Sequence, residues 1–144
     1  MSAAAGKSGM PDGGLYLVLT DPRIPHEVLA AEAVRLEVPF VQLREKELPD
    51  DDLIALASRL SATIAGSHTR LIINDRPDIA ARVGADGVHL GRTDMPIDEA
   101  RAVVGDAIVG LSAANAEELR RAKDAGADYV GSGPVFPTTT KETG

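Results

Sequence analysis

The chain has 144 residues, enough for one domain that buries roughly 70% of the surface its unfolded form exposes. Fifteen Lys and Arg stand against 22 Asp and Glu, a formal net charge of −7, and aromatic residues make up only 3% with no Trp. This argues against nucleic-acid binding, anionic membrane surfaces and base-stacking platforms, while the absence of Cys excludes disulfides, thiolate catalysis and cysteine-ligated zinc and is compatible with a reducing, cytoplasmic setting.

Residues 1–14, MSAAAGKSGMPDGG, lack the hydrophobic stretch of a secretion signal and read as a flexible tail. No later apolar run approaches the ~20 residues of a membrane span. LYLVLT (15–20) predicts a first strand, and residues 26–38 have helical periodicity with Val28, Leu29, Ala33 and Leu36 on one stripe. PFVQLR (39–44) is a second strand. The helix expected over 50–66 opens on three Asp, which suits the helix dipole, and closes at Gly66. A strand at 71–75 and a short helix at 77–84 follow, with Pro77 in its first turn. Then come a strand at 86–90, a helix at 96–105, a strand at 107–112, a helix at 116–126 and a sixth strand at 128–133. Six strands alternating with five helices predict an α/β fold with a parallel sheet, and apolar runs such as LYLVL and LII predict burial on both faces.

G-A-D-x-V-x-x-G occurs twice, at 84–91 and at 126–133. The offset holds two βα units of ~20 residues each, the compact period of a (β/α)8 TIM barrel. About the first six units would occupy residues 15–144. The physical content of the repeat is Gly84 and Gly126 ending helices in a left-handed conformation, then Asp86 and Asp128 opening strands. The alternative is a local preference of αβ loops for Gly-Ala-Asp, within an open doubly wound sheet. Such a sheet favours a glycine-rich first turn, and here that turn is TDPRIP.

In both architectures ligands bind at the carboxyl ends of the strands. Gln42, Arg44 and Lys46 share one face at the end of the second strand, where an anionic partner such as a phosphate or diphosphate would meet them; the alternative is surface pairing with Glu45 or Glu47. Asn74 and Asp75 end the third strand, and Asp94 lies on the loop after the fourth. Two carboxylates with phosphate oxygens suit Mg²⁺, although each Asp alone suits a turn or helix cap. His89 faces away from Val88 and Leu90 and reads as a packed or hydrogen-bonded residue. Ser112 lacks the G-x-S-x-G setting of a nucleophile and reads as a hydrogen-bonding group toward ligand. Thr138, Thr139, Thr140 and Lys141 offer hydroxyl and ammonium donors to a phosphate, or form a polar loop.

Q-L-R-x-K, N-D, H-L-G-x-x-D-M-P, G-x-S and G-P-V-F-x-T-x-T-K, in that order from about residue 15 to the end, resemble the thiamine phosphate synthase family. The resemblance implies a magnesium-dependent transferase of phosphorylated small molecules. It would join 4-amino-2-methyl-5-hydroxymethylpyrimidine diphosphate to 4-methyl-5-(2-phosphoethyl)thiazole, or its carboxylate, and release pyrophosphate. It further implies that Gln42, Arg44, Lys46, Asn74, Ser112 and Lys141 bind the pyrimidine diphosphate, with Arg44, Lys46 and Lys141 acting in catalysis. Asp75 and Asp94 would hold Mg²⁺, and Thr138 and Thr140, with Thr139 between them, would lie by the thiazole phosphate. Ala114 stands where many members carry His. Related alternatives are a thiazole tautomerase on the same barrel and a non-catalytic phosphate-binding fragment. The family continues through two more βα units, so the 144-residue polypeptide is expected to be part of a longer synthase and, alone, weakly stable or self-associated with little turnover.

Overall fold

The structure, a computed structural model, describes residues 10, 11, 13–137 and 139. Strands and helices alternate as β1 (Tyr16–Leu19), α1 (His26–Arg35), β2 (Phe40–Leu43), α2 (Asp50–Ile64), β3 (Arg70–Asn74), α3 (Pro77–Val83), β4 (Gly87–Leu90), α4 (Ile97–Val104), β5 (Ile108–Ala113), α5 (Ala116–Asp124) and β6 (Tyr129–Ser132). The strands form one parallel sheet in chain order, β1 to β6. None of the described helices is long and apolar enough to cross a membrane.

Local chemistry explains the elements. In α2, Leu53, Leu56, Ala57, Leu60 and Ile64 recur at helical spacing and are all buried, with Asp50, Asp51 and Asp52 in the positive first turn. Helix α1 ends three residues before the predicted boundary, because the chain turns off through a left-handed Glu37 (φ 53°) and Val38 N–H bonds the Ala33 carbonyl at 2.8 Å. Its expected stripe needs correction. Ala30 and Ala33 are the buried positions, whereas Val28 and Leu36 are 56% and 58% exposed. Small residues pack α1 closely on the sheet.

The G-A-D repeat has a shared mechanical role. Gly84 and Gly126 adopt φ of 64° and 84°, which only glycine takes without strain. The Asp86 carboxylate then accepts from Leu71 N–H at 2.7 Å, and the Asp128 carboxylate accepts from Val109 N–H at 2.8 Å. Each aspartate satisfies a backbone donor at the start of the preceding strand.

Period-2 alternation sorts the sheet into two faces. Val41, Leu43, Leu71, Ile73, Val88, Leu90 and Val109 join the helices in the main core. Phe40, Ile72 and Ile108 point to the other face and pack with Met10, Tyr16 and Tyr129. The sheet curls around this second cluster. Laid flat, five strand spacings of about 4.8 Å would put β1 and β6 roughly 24 Å apart. Instead the rings of Tyr16 on β1 and Tyr129 on β6 lie 5.5 Å apart and their hydroxyls 2.6 Å apart. Burial on both faces holds for β2 and for Leu71–Ile73, but not for β1, where Leu15 and Val18 are 60% and 42% exposed at the sheet edge.

Bulk and void alternate from strand to strand on the concave face. Gly87 pairs in register between Ile72 and Ile108, and Gly110 pairs between His89 and Tyr129. An added Cβ on Gly87 would lie 2.8 Å from the Ile108 Cβ, and one on Gly110 would lie 2.5 Å from the Tyr129 hydroxyl oxygen. The missing side chains are the space into which the neighbouring side chains lean.

Candidate functional site

The carboxyl ends of β2, β3 and β4 bring Lys46, Asn74, Asp75 and Asp94 together. The Lys46 ammonium lies 3.3 Å from the Asp75 carboxylate, so its partner is not the neighbouring Glu45 or Glu47. Asp75 and Asp94 hydrogen-bond to each other side chain to side chain, and the Asn74 amide also bonds Asp75. Asp75 is held with left-handed φ (59°), a strained conformation for a residue with a Cβ, and its N–H donates to the His89 carbonyl at 2.8 Å. Asp94 accepts from Gly91 N–H, closing the β4–α4 turn, while the N-cap position of α4 is Pro96. The turn role and the paired-carboxylate role thus coexist in Asp94.

The two carboxyls are pushed in opposite directions. Burial and the hydrogen bond to Asp75 raise the Asp94 carboxyl above the ordinary range. Burial also opposes ionisation of Asp75, but the bond from Asp94, the Lys46 charge and the Lys46 and Asn74 hydrogen bonds outweigh it and hold Asp75 below that range. Beside the pair a cavity of about 260 Å³ is lined by Lys46, Asn74, Asp75 and Arg76, with Leu43 and Leu53 among its apolar walls. Arg76 forks onto Asp50 at 2.6 and 2.9 Å and onto Asp78 at 2.9 and 2.7 Å, tying the β3–α3 turn to the start of α2. Arg44 follows β2 and makes no ion pair among the described residues.

Gln42 and Ser112, expected at the same ligand, are the two ends of one hydrogen-bond chain across the concave face. Gln42 Nε2 donates to the Tyr16 hydroxyl at 2.8 Å, and the Tyr16 and Tyr129 hydroxyls are 2.6 Å apart. Tyr129 lies 2.9 Å from His89 Nδ1, and His89 Nε2 lies 2.9 Å from Ser112 Oγ. Gln42 donates at one end, and the polarity of the hydroxyl and imidazole links beyond it follows the His89 tautomer. A serine–histidine–carboxylate triad places an acidic group behind the imidazole. Here the third member is Tyr129, whose hydroxyl is kept neutral by burial and by the neighbouring Tyr16.

Thr139 is exposed, and Thr138, Thr140 and Lys141 lie outside the described residues. Sequence patterns pointed to His89 as hydrogen-bonded but missed Tyr16 and Tyr129. The available signal was alternation, which puts Tyr16 on the same face as Phe40 and Gln42.

A model of the thiamine monophosphate synthase family matches residues 15–144. The thiamine-phosphate synthase of Methanobrevibacter smithii is 42% identical over 134 residues, covering 91% of this chain and 64% of that protein. That of Rhodospirillum centenum is 44% identical over 138 residues, covering 92% and 67%. Among solved structures, a thiamine phosphate pyrophosphorylase from Pyrococcus furiosus superposes with a TM-score of 0.78 at 35% identity, covering 85% of this chain and 61% of that one. The chain spans about two thirds of the length of these proteins and a smaller share of longer relatives.

Proposed function

Because the chain belongs to the thiamine monophosphate synthase family, we propose that it carries the pyrimidine diphosphate and magnesium site of a transferase that makes thiamine phosphate. The observation that carries this reading is the hydrogen-bonded Asp75–Asp94 pair with Lys46 at 3.3 Å, set at strand ends beside a cavity. In this reading the curled sheet is the first six strands of an eight-stranded (β/α)8 barrel formed by residues 15–144 and two further units. Its partners are phosphorylated small molecules in the cytoplasm.

The carboxylate pair fits Mg²⁺. Two hard-oxygen donors converge near Gly91 and beside Lys46, and Mg²⁺ favours one or two carboxylates with substrate phosphates and water. No group of three or more His, Cys, Asp or Glu able to hold a metal occurs among the described residues, which leaves the remaining coordination to diphosphate and water. Bound there, Mg²⁺ supplies positive charge against the departing diphosphate.

The protein's own residues do the rest. Arg44, Lys46 and Lys141 hold the diphosphate and stabilise the negative charge it gains. Gln42, Asn74 and Ser112 orient the pyrimidine diphosphate, Ser112 from the end of the hydrogen-bond chain. In this reading Thr138, Thr139 and Thr140 offer hydroxyl donors to the thiazole phosphate. The carbon–oxygen bond breaks and its electron pair leaves with the diphosphate. The thiazole nitrogen lone pair then closes the new carbon–nitrogen bond on the pyrimidine methylene cation. No enzyme nucleophile is required, in keeping with a Ser112–His89 pair that has Tyr129 rather than a carboxylate behind it. A tautomerase needs neither metal nor diphosphate, so the convergence of Lys46, Asp75 and Asp94 favours the synthase.

Asp94→Ala tests the reading. It should abolish magnesium-dependent turnover of the two substrates while the circular dichroism spectrum stays unchanged. Normal turnover with an unaltered magnesium response would refute it.

A further inference from the structure

Glu45 sits between Arg44 and Lys46, an awkward place for a negative charge if those cations hold a diphosphate. Its side chain is only 12% exposed, although β2 has already ended at Leu43. Its Oε1 accepts from the backbone N–H of Asp21 at 2.6 Å and lies 2.7 Å from His26 Nε2. Asp21 belongs to the β1–α1 turn, where it adopts a left-handed φ of 40°, and His26 is the first residue of α1. One carboxylate oxygen therefore joins the loop after β2 to the loop after β1. Glu45 also borders the cavity beside Lys46 and Asp75, and with its carboxylate engaged toward β1 its neighbour Lys46 reaches Asp75 at 3.3 Å.

We propose that Glu45 is a positioning residue for the anion site: its clamp on Asp21 and His26 fixes the loop that presents Arg44 and Lys46 to the diphosphate and keeps its own carboxylate engaged. The proposal rests on the diphosphate reading above and deepens it. It also makes a prediction of unusual sign. By charge alone, deleting a carboxylate next to an anion site strengthens anion binding. By positioning, the same deletion weakens it.

The experiment is calorimetric titration of the full chain with inorganic pyrophosphate and Mg²⁺, with thermal unfolding of each variant measured alongside. Glu45→Ala should weaken pyrophosphate binding about tenfold, and Glu45→Gln, which keeps the acceptor for Asp21 N–H, should stay within about threefold of the parent. Glu45→Ala binding as tightly as the parent or tighter overturns the proposal, as does Glu45→Gln binding as weakly as Glu45→Ala. Lys46→Ala is the control on the underlying reading. If it binds pyrophosphate like the parent, the anion site itself is misplaced and the proposal falls with it. If Glu45→Ala does not fold, His26→Ala takes its place. Weaker binding by that variant supports the clamp, and unchanged affinity overturns it.

Discussion

Gly110→Ala changes one hydrogen into a methyl group in the middle of the concave face. The added Cβ would sit 2.5 Å from the Tyr129 hydroxyl oxygen and closer still to ring atoms Cζ and Cε1. Ordinary carbon contacts need about 3.5 Å, so the ring must retreat by about 1 Å or more. Its hydroxyl is held at 2.6 Å from Tyr16 and 2.9 Å from His89, and that retreat breaks both bonds. Two lost hydrogen bonds cost about 2 kcal/mol together, and overpacking adds about 2 kcal/mol. Reduced freedom of the unfolded chain returns about 0.7 kcal/mol, leaving a net loss of about 3 kcal/mol. Urea denaturation followed by far-ultraviolet circular dichroism measures it. The near-ultraviolet band reads the geometry directly, because the chain has no Trp and only two Tyr, both in this cluster. Gly13→Ala, where nothing lies within 4 Å, is the control and should change stability by less than about 0.5 kcal/mol. Adding Tyr129→Leu to Gly110→Ala should recover more than about 1 kcal/mol relative to additivity. A Gly110→Ala protein of parental stability and unchanged tyrosine signal would refute the packing described for Tyr129.

The two tyrosines also set an alkaline limit. Burial raises the ionisation of both above the ordinary value near 10, so their neutral forms stabilise the fold fully below that pH, and the stabilisation is lost as pH climbs toward the raised values. In a spectrophotometric titration tyrosinate should appear together with unfolding; ionisation near pH 10 in a fully folded protein would contradict the burial. Asp86→Ala and Asp128→Ala each orphan a strand N–H and should each cost about 1–2 kcal/mol in urea denaturation, adding nearly independently because they serve different strand pairs. Equal stability of the double variant and the parent would remove the repeat's mechanical role. Lys141→Ala should slow single-turnover chemistry by about 10²–10³ with little effect on thiazole binding, as expected for a group acting on the leaving diphosphate; an unchanged rate would exclude that role.

Most of the fold was legible because each element carries a local signature. Alternating β-rich and helical runs located all six strands and five helices, and the G-A-D repeat located two strand entries with their glycine and aspartate roles. The site was legible as far as strand ends, which drew attention to Lys46, Asn74, Asp75 and Asp94 before their contacts were known. Partnerships across the sheet were not legible. Tyr16 and Tyr129 lie 113 positions apart, and only the curl of the sheet makes them neighbours. The α1 stripe was misread for a related reason. A small alanine can be the better contact where a helix packs close, so Ala30 faces the sheet and the larger Val28 faces solvent. Glu45 looked like a surface charge because its anchor is a backbone N–H, which no side-chain pattern records.

The meeting of Tyr16 with Tyr129 also fixes an order of events in time. Backbone pairing joins only sequence-neighbouring strands, so each βα unit can add to the last across a short loop. The tyrosine pair joins the first strand to the sixth and so closes the array. Closing a 113-residue span instead of one of about 20 costs roughly 1.5 kcal/mol more in chain entropy, a sum recovered only once the intervening strands have assembled and curled. Tyrosine fluorescence during refolding should therefore trail the far-ultraviolet signal of strands and helices, marking the moment when a row of strands becomes an enclosure.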